Sequence, residues 1–372
     1  MKKQIEKVKN IEPVFLVLFI ILVILGLFIL QTASSINSYK TTGNLYYNLI
    51  QQIQKGIIPG SILFTFVSMI NYRLYKRYYI YIIIFITSVM INLALLVPSL
   101  GNTVNGAQRW LIIGGFTVQP SEIMKVSIIL LISGYLYTIK DKINKFKYIL
   151  IYIILMGSVT FLIAYLQSNL STAIVLGLIS GSILFQSKIN IKNIIILGLM
   201  LIIVVFVSIY NKPYRMARFT TFLSNHEDIQ DQDYHSYQNL ISIGSGGVSG
   251  VGWNQSRQKF MYVPEVLGDS IFSIYAEESG FVGVSILLAL YLAIMQRMYH
   301  ILLKTDDMFG KYIIIGVMTW LVVQILLNIG SNIKIIPLTG MTLPFVSFGS
   351  SSIIISFILF GIVANISRYR KL

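Results

Sequence analysis

The chain has 372 residues, of which 55% are hydrophobic and only 12% are charged, and its mean hydropathy is +0.75. These values are typical of a multi-spanning membrane protein and exclude a soluble globular domain. The absence of Cys excludes thiol nucleophiles, disulfides, iron–sulfur clusters and thiolate metal sites, and the net charge of +15 calls for an explanation by topology or by an acidic partner.

Apolar runs separated by short polar breaks predict an all-α membrane protein of about ten transmembrane helices. Each run has roughly the 17–25 residues needed to cross a ~30 Å hydrocarbon core. We expect residues 1–372 to form a single polytopic membrane domain. In chain order the predicted spans are Val14–Leu30, Ile53–Ile70, Tyr79–Val97, Ser121–Tyr137, Tyr148–Tyr165, Leu170–Phe185, Ile194–Tyr210, Ser270–Met295, Tyr312–Gly330 and Ser352–Ile366.

The distribution of Lys and Arg predicts the orientation, because positively charged loops stay on the cytoplasmic side. With both termini in the cytoplasm, 19 of the 29 Lys and Arg residues fall on the inner side. Cations scattered over several cytoplasmic loops suit anionic lipid headgroups and argue against a nucleic-acid-binding face. The sequence therefore predicts a multi-pass protein of the cytoplasmic membrane without a nucleic-acid partner.

Three exported loops hold nearly all of the unusual sequence, and we expect function on that face. They run from about residue 98 to 120, from 211 to 269 between the seventh and eighth helices, and from 332 to 351. The second loop has about sixty residues, which is long for a connection without structure of its own and itself suggests a function.

The first exported loop brings charge to the edge of an apolar span. Arg109 has a planar, permanently charged fork suited to phosphate oxygens, and Trp110 has an amphipathic ring suited to the headgroup level. Pro120 predicts a helix start, which places Glu122 and Lys125 in the first turns. These residues fit a ligand site, but Glu122 and Lys125 could equally form a local ion pair while Arg109 and Trp110 anchor the interface.

The second exported loop ends in Asp269, directly before the eighth span. An Asp at this position is a common helix N-cap, and a carboxylate at the membrane boundary can equally serve as a general base. Glu277 and Glu278 follow inside the span, where acids are functional by default. The glycine-rich run 244–252 predicts flexible backbone near a ligand or a re-entrant segment, and the acidic run 226–235 predicts a solvated loop because it lacks the Gly and Glu of a calcium loop.

Several short motifs follow one another along almost the whole chain. They are G-A-x-R-W at 106–110, Q-P-S-E-x-x-K at 119–125, I-G-S-G-G at 243–247, P-E at 264–265 with D-x-I-F at 269–272, A-E-E-x-G at 276–280, N-I-G at 328–330 and P-L-T-G-M-T-L-P-F-V-S-F-G-S-S-S at 337–352. In this order and spacing the chain resembles the SEDS family (shape, elongation, division and sporulation), the FtsW/RodA/SpoVE peptidoglycan polymerases. The loop sequences most resemble those of the FtsW branch.

The resemblance implies a processive glycosyltransferase of the bacterial cytoplasmic membrane that polymerises lipid II, the disaccharide-peptide carried on undecaprenyl pyrophosphate. It also implies a class B penicillin-binding protein as partner, within the division or elongation machinery. Asp269 matches the family's essential exported-loop aspartate, which favours a base over a cap, and Arg109 and Lys125 match its conserved cations. The other residues expected to bind substrate are Trp110, Gln119, Ser121, Glu122, Ser245, Glu265, Ser347, Ser350 and Ser351.

The chemistry of this reaction fits a single carboxylate. The acceptor sugar hydroxyl must lose a proton while a pyrophosphate leaves the donor's anomeric carbon, and a pyrophosphate needs charge neutralisation rather than a proton. Asp269 would be the base, and Arg109 with Lys125 would hold the pyrophosphate. An assisting divalent cation, Mg²⁺ or Mn²⁺, stays open as a cofactor, and the sequence shows no dedicated site for one.

Two positions depart from the family pattern. Asn169 stands where relatives commonly have the acid of Gln-Pro-Asp-Leu-Gly, which removes any salt bridge built on that acid. The segment before Asp269 reads Val266-Leu267-Gly268 and lacks the His-Thr pair that is frequent in relatives, so the local positioning of the base is expected to differ.

Two other classes of function compete with the polymerase. A lipid II flippase is suggested by the many spans and the lipid substrate, although a transporter should carry polar groups and broken helices at its midplane. A non-catalytic scaffold for division or elongation proteins is suggested by the large membrane-embedded surface.

Overall fold

The computed structural model describes residues 9–95, 97, 101–104, 107–113, 116–210, 213–223, 232–260 and 262–370. The helices are α1 (Pro13–Thr42), α2 (Tyr47–Gln52), α3 (Ile58–Met69), α4 (Tyr78–Ala94), α5 (Pro120–Ile139), α6 (Phe146–Thr160), α7 (Leu170–Phe185), α8 (Ile191–Tyr210), α9 (Pro213–Leu223), α10 (Gln232–Ser245), α11 (Ile271–Lys304), α12 (Met308–Asn332) and α13 (Ser350–Ser367). Short π-helical turns lie at Ile53–Ile57 and Phe161–Leu166, and short 3₁₀ turns lie at Tyr72–Lys76 and Lys140–Asn144.

The predicted all-α membrane architecture is confirmed. Within the described ranges, seven helices are long and apolar enough to cross a membrane, and α4 and α7 are shorter apolar helices. The second predicted span, Ile53–Ile70, corresponds to the π-helical turn Ile53–Ile57 and α3, and the turn joins α3 to the short helix α2 that precedes it. The number of ten spans and the cytoplasmic location of both termini stay predictions.

The helices form a bundle in which α5 and α13 are the most enclosed spans, whereas α8 exposes its apolar side chains. α12 packs against α5 and α7, α3 against α13, and α1 against α11. Such a distribution suits a lipid environment, because an unbroken helix satisfies its own backbone hydrogen bonds and its apolar surface needs no further cover.

A small antiparallel sheet, which the sequence reasoning did not anticipate, forms in the first exported loop. It consists of β1 (Gly101–Val104), β2 (Ala107–Ile113) and β3 (Phe116–Val118) in the order β1-β2-β3. Arg109 and Trp110 lie on β2. β3 leads directly into α5, where Pro120 occupies a first-turn position that needs no backbone N–H.

The long helix α11 is broken at Gly280, whose backbone angles are φ 64° and ψ −167°. The break leaves backbone groups without helical partners, and the glycine-rich segment 246–252 supplies them. Phe281 N donates to Gly247 O at 2.9 Å, and Gly252 N donates to Glu278 O at 3.1 Å. The glycine-rich segment therefore replaces helical hydrogen bonds at the break in α11.

Replacing Gly280 by Ala is expected to destabilise the protein strongly. Only Gly is comfortable at these angles, at a cost of about 1–3 kcal/mol for other residues. A Cβ atom there would also lie 2.3 Å from Gly250 N. Thermal unfolding in detergent measures the effect, and Gly157→Ala is the control because nothing lies within 4 Å of its added Cβ. Equal unfolding temperatures for the two variants would contradict this role of Gly280.

Glu277 and Glu278, just before the break, anchor the segment that leads to Asp269. Glu277 Oε1 accepts from Arg257 N at 2.9 Å, and Glu278 Oε1 forms a 2.9 Å ion pair with Lys259 Nζ. Lys259 Nζ also donates to Thr32 O on α1 at 3.1 Å. The two acids thus tie the exported loop to α11 and, through Lys259, to α1.

Candidate active site

Asp269 lies in the turn immediately before α11. The N-cap position of α11 belongs to Ser270, and no side-chain hydrogen bond caps the helix. The Asp269 Oδ1 atom is enclosed and, among the described residues, has no hydrogen-bond partner. The geometry therefore does not support the N-cap interpretation, and it leaves the carboxylate available for chemistry.

The surroundings of Asp269 raise its pKa from 3.8 to about 7. Burial is the main cause, and the nearby charge of Glu265 adds to it. The backbone amides of Asp269 and Ser270 and the charge of Arg218 act in the opposite direction. A pKa near neutrality is suited to a general base, which must accept a proton and release it again.

The last exported loop holds the backbone just before Asp269. Ser347 Oγ donates to Gly268 O at 2.6 Å, and Phe348 N donates to Leu267 O at 2.8 Å. Both contacts use main-chain carbonyls, and the side chains of Val266 and Leu267 pack against the hydrophobic core. The segment is therefore positioned by its backbone and by apolar packing.

Two residues beside Asp269 were missed as site residues by the sequence reasoning. His235 on α10 lies 2.6 Å from Ser270 Oγ through its Nε2 atom, and burial together with the charge of Arg218 lowers its pKa to about 4. The imidazole is therefore neutral at pH 7. Arg218 lies on the amphipathic helix α9, a pattern that could have indicated a surface-lying segment with a charged face. The other part of the acidic run, residues 226–231, lies outside the described residues.

Lys125 lies in a second polar cluster at the start of α5. Its Nζ atom is 2.7 Å from Glu122 Oε1 and 3.0 Å from Gln324 Oε1. The side chain is fully buried, and Glu122 Oε2 has no partner among the described residues. The local ion pair considered from the spacing is present. It lies inside the bundle, where a buried pair needs such additional hydrogen bonds.

Hydroxyl groups of the last exported segment join this cluster to the first exported loop. Ser351 Oγ donates to Thr117 O at 2.8 Å and accepts from Gln119 N at 3.1 Å, while Ser350 Oγ is 3.5 Å from the same carbonyl. Ser121 is buried and accepts from Asn169 Nδ2 at 3.4 Å.

Arg109 and Trp110 are both partly buried on β2. The Arg109 guanidinium donates to Ser168 O at 2.6 Å and to Gln167 O at 3.3 Å. These contacts fix it at the start of α7, where Asn169 caps the helix by accepting from Thr172 N at 3.2 Å. Arg109 uses two of its five N–H donors here, so its charge is held in place with donors to spare.

The two polar clusters are joined through α12. Gln324 contacts Lys125, while Asn328 and Asn332 donate to the main-chain carbonyl of Asp269. The three residues follow one another at intervals of one turn, which places them on one face of the helix. This regular polar pattern in an apolar helix is visible in the sequence, and it is the signal that could have identified them.

Several of the predicted site residues therefore make polar contacts around Asp269, around Lys125 or around Arg109. Ser245 is an exception, because its hydroxyl donates to Ser242 O within α10. Within the described ranges, neither Arg109 nor Lys125 forms an ion pair with Asp269, and no group of three or more His, Asp or Glu residues converges. Arg109, Lys125 and Asp269 thus lie in separate polar clusters, and α12 contacts those of Lys125 and Asp269.

The apolar helical bundle is that of a polytopic membrane protein. The poorly solvated carboxylate of Asp269, at the start of the broken helix α11, marks a candidate catalytic site. A profile of the cell cycle protein family FtsW/RodA/SpoVE matches residues 12–372, and the chain belongs to this family. It is accordingly a multi-pass protein of the bacterial inner membrane.

Curated relatives match over nearly their whole length. Stage V sporulation protein E of Bacillus subtilis is 31% identical over 368 residues, which cover 98% of this chain and 99% of the relative. "Probable peptidoglycan glycosyltransferase FtsW" of Geobacter sulfurreducens is 29% identical over 367 residues, which cover 99% and 98% of the two chains.

Solved structures share the fold. A chain of a peptidoglycan synthase complex that coordinates polymerization and crosslinking superposes with a TM-score of 0.78 at 23% identity, with 96% of this chain and 98% of that chain covered. The rod shape determining protein RodA of Thermus thermophilus gives a TM-score of 0.70 at 22% identity, with coverage of 96% and 97%.

Proposed function

We propose that the protein is a peptidoglycan glycosyltransferase that polymerises lipid II at the outer face of the cytoplasmic membrane. The observation that carries the proposal is the Asp269 carboxylate, which has an unpartnered oxygen and a pKa of about 7. The names of the curated relatives and the membership of the family support the same reaction.

In the proposed reaction Asp269 takes the proton from the acceptor sugar hydroxyl. The hydroxyl oxygen forms a bond to the donor's anomeric carbon, and the bond from that carbon to the undecaprenyl pyrophosphate breaks. The departing diphosphate carries away the bonding electron pair, so it needs positive charge around it. The proton on Asp269 returns to solvent before the next addition.

Arg109 and Lys125 are the proposed diphosphate ligands. Arg109 is partly exposed and keeps three N–H donors beyond those that bind Gln167 and Ser168. Lys125 keeps one N–H beyond its bonds to Glu122 and Gln324. Because this ammonium is fully enclosed, its contact with the leaving group requires an opening between α5 and α12.

The remaining predicted residues are proposed to line the site around these groups. A divalent cation that arrives with the diphosphate would neutralise part of its charge, since Mg²⁺ typically takes substrate phosphates and water together with one or two carboxylates. We also propose a class B penicillin-binding protein as partner and a role closer to that of FtsW in division, following the family resemblance.

The test is polymerisation of lipid II by the purified protein, with and without its penicillin-binding partner. Glycan strands that muramidase digests are expected from the wild type and not from Asp269→Asn. A wild type that makes no strands in either setting, while it moves lipid II across liposome membranes, would establish the flippase instead. One observation favours that alternative, the break in α11 at Gly280, but the glycine-rich segment already satisfies the backbone there.

The pH dependence of the rate gives a second prediction. Since the base must be deprotonated, the rate should fall as the pH drops below about 7. Glu265→Gln removes a charge that raises the Asp269 pKa, so the pH at which the rate reaches half its maximum should fall. Arg218→Gln removes a charge that lowers the Asp269 pKa, so this half-maximal pH should rise. Rates of strand formation between pH 5 and 9, measured at saturating lipid II, check both directions, and shifts of the same sign would contradict the assignment.

A further inference from the structure

Two asparagines at the end of α12 bind the main-chain carbonyl of Asp269. Asn328 Nδ2 lies 2.9 Å from this oxygen, and Asn332 Nδ2 lies 2.7 Å from it. The exposed fractions of the two side chains are 0% and 1%. Two buried amide donors thus converge on one acceptor directly beside the proposed base.

The other contacts of the two amides fix their orientation. Asn328 Nδ2 also donates to Met341 O at 2.7 Å, and Asn332 Nδ2 also donates to Asn328 O at 2.8 Å. Asn332 Oδ1 accepts from Ser273 Oγ at 2.6 Å in the first turn of α11. Since each nitrogen faces two carbonyl oxygens, a flipped amide would place oxygen against oxygen.

Asn328 and Asn332, together called the asparagine clamp, bind the main chain of Asp269 and not its carboxylate. The carbonyls of three consecutive residues, 267 to 269, are all bound, by Phe348 N, by Ser347 Oγ and by the two asparagines. Asp269 Oδ1 meanwhile has no partner among the described residues. A fixed main chain beside a carboxylate with one unpartnered oxygen is what a base needs in order to be positioned while it keeps its proton affinity.

We propose that Asn328 and Asn332 are positioning residues that hold the Asp269 main chain so that its carboxylate meets the acceptor hydroxyl. The inference rests on the proposed polymerase function. Through Met341 O the same clamp binds the last exported loop, so the loop and the base are held by one pair of side chains.

The test uses Asn328→Ala, Asn332→Ala and the double variant in the full-length protein with its partner. Either single variant keeps one donor on the Asp269 carbonyl, so kcat should fall only about tenfold, the equivalent of one hydrogen bond. The double variant frees the carbonyl and should lose at least about 100-fold more than the product of the single effects, since a displacement of 1 Å can cost about that much. KM for lipid II should change less than kcat.

A second measurement does not depend on polymerisation. A carbodiimide with a glycine ester modifies protonated carboxyls, and mass spectrometry quantifies the modification of Asp269 as a function of pH. The charged or titratable groups near Asp269 that influence this titration are Glu265, Arg218 and His235. In the double variant we expect faster modification at pH 5 and a midpoint below that of the wild type, because the carboxylate gains access to water.

Asn365→Ala is the matched control. Asn365 is also buried and also binds backbone, with Nδ2 2.7 Å from Ser68 O and Oδ1 2.9 Å from Tyr72 N, but it lies at the other end of the bundle. Its kcat per folded molecule and its Asp269 titration should match those of the wild type. If the loss of kcat in the double variant equals the product of the two single losses, and its Asp269 titration is that of the wild type, the positioning role of Asn328 and Asn332 is overturned. A wild type without polymerase activity would refute the proposed function alone, and the labelling would still decide the inference.

Discussion

Asp269→Asn is expected to lower the rate of lipid II polymerisation by about 10²–10⁴-fold, the usual contribution of a positioned general base. The amide has the shape of the carboxylate but cannot accept the proton of the acceptor hydroxyl. The same variant should be at least as stable as the wild type at pH 8. The folded-state pKa of about 7 lies above the ordinary Asp value of 3.8, so the folded wild type loses stability as the pH rises through this window. Asn carries no such penalty.

The combination of lost activity and retained or increased stability separates this prediction from simple misfolding. Thermal unfolding in detergent at pH 5 and pH 8 measures the stability, and the gain of the variant over the wild type should be larger at pH 8. Asp306→Asn, in the exposed turn between α11 and α12, removes the same charge at a distance from the site and should leave the rate of polymerisation unchanged. A variant that polymerises normally would remove Asp269 from the chemistry.

The spans and the main site residues could be predicted because their signals are local. Hydropathy alone identifies apolar segments such as the one that forms α12. Asp269, Arg109 and Lys125 lie in recognisable sequence motifs. The β-sheet in the first exported loop was not predicted, since its strands are short and lie among the turn residues of a loop. Glu122 and Lys125 were predicted in part, because their spacing indicates an ion pair but not the burial of that pair in the bundle.

The contacts between distant parts of the chain could not be read from local patterns. The charge of Arg218 on α9 acts on Asp269 far along the chain, and the amphipathic pattern of α9 does not indicate which residue that charge influences. Gly280 breaks α11 directly after two acids and a serine, and the break persists because residues 246–252 replace the missing helical bonds. The glycine-rich run was expected near a ligand or in a re-entrant segment. Its contacts with the backbone of α11 join parts of the chain that no local pattern connects.

Breaking the buried ion pair between Lys259 and Glu278 is expected to be the most destabilising single change outside the backbone. The charged atoms lie 2.9 Å apart, and the exposed fractions of the two side chains are 1% and 0%. Removing one partner leaves an uncompensated charge in the interior, which typically costs about 3–5 kcal/mol. Lys259→Met and Glu278→Gln should therefore each lower the free energy of unfolding by about that amount. Activity should fall with it, because Lys259 lies in the loop that leads to Asp269.

The double variant Lys259→Met/Glu278→Leu distinguishes the charge effect from lost packing. With both charges gone no buried ion is left unpaired, and replacing a buried pair by apolar residues is often neutral. The double variant should therefore unfold at a higher temperature than either single variant. Lys76→Met, which removes the partner of Asp307 in a 2.7 Å pair whose side chains are 21% and 14% exposed, should cost less than either single variant because water still reaches the remaining charge. Additive losses of unfolding free energy in the double variant would mean that the two charges act independently. The loop before Asp269 would then be held by the contacts of Glu277 with Ser256 and Arg257 and not by the ion pair.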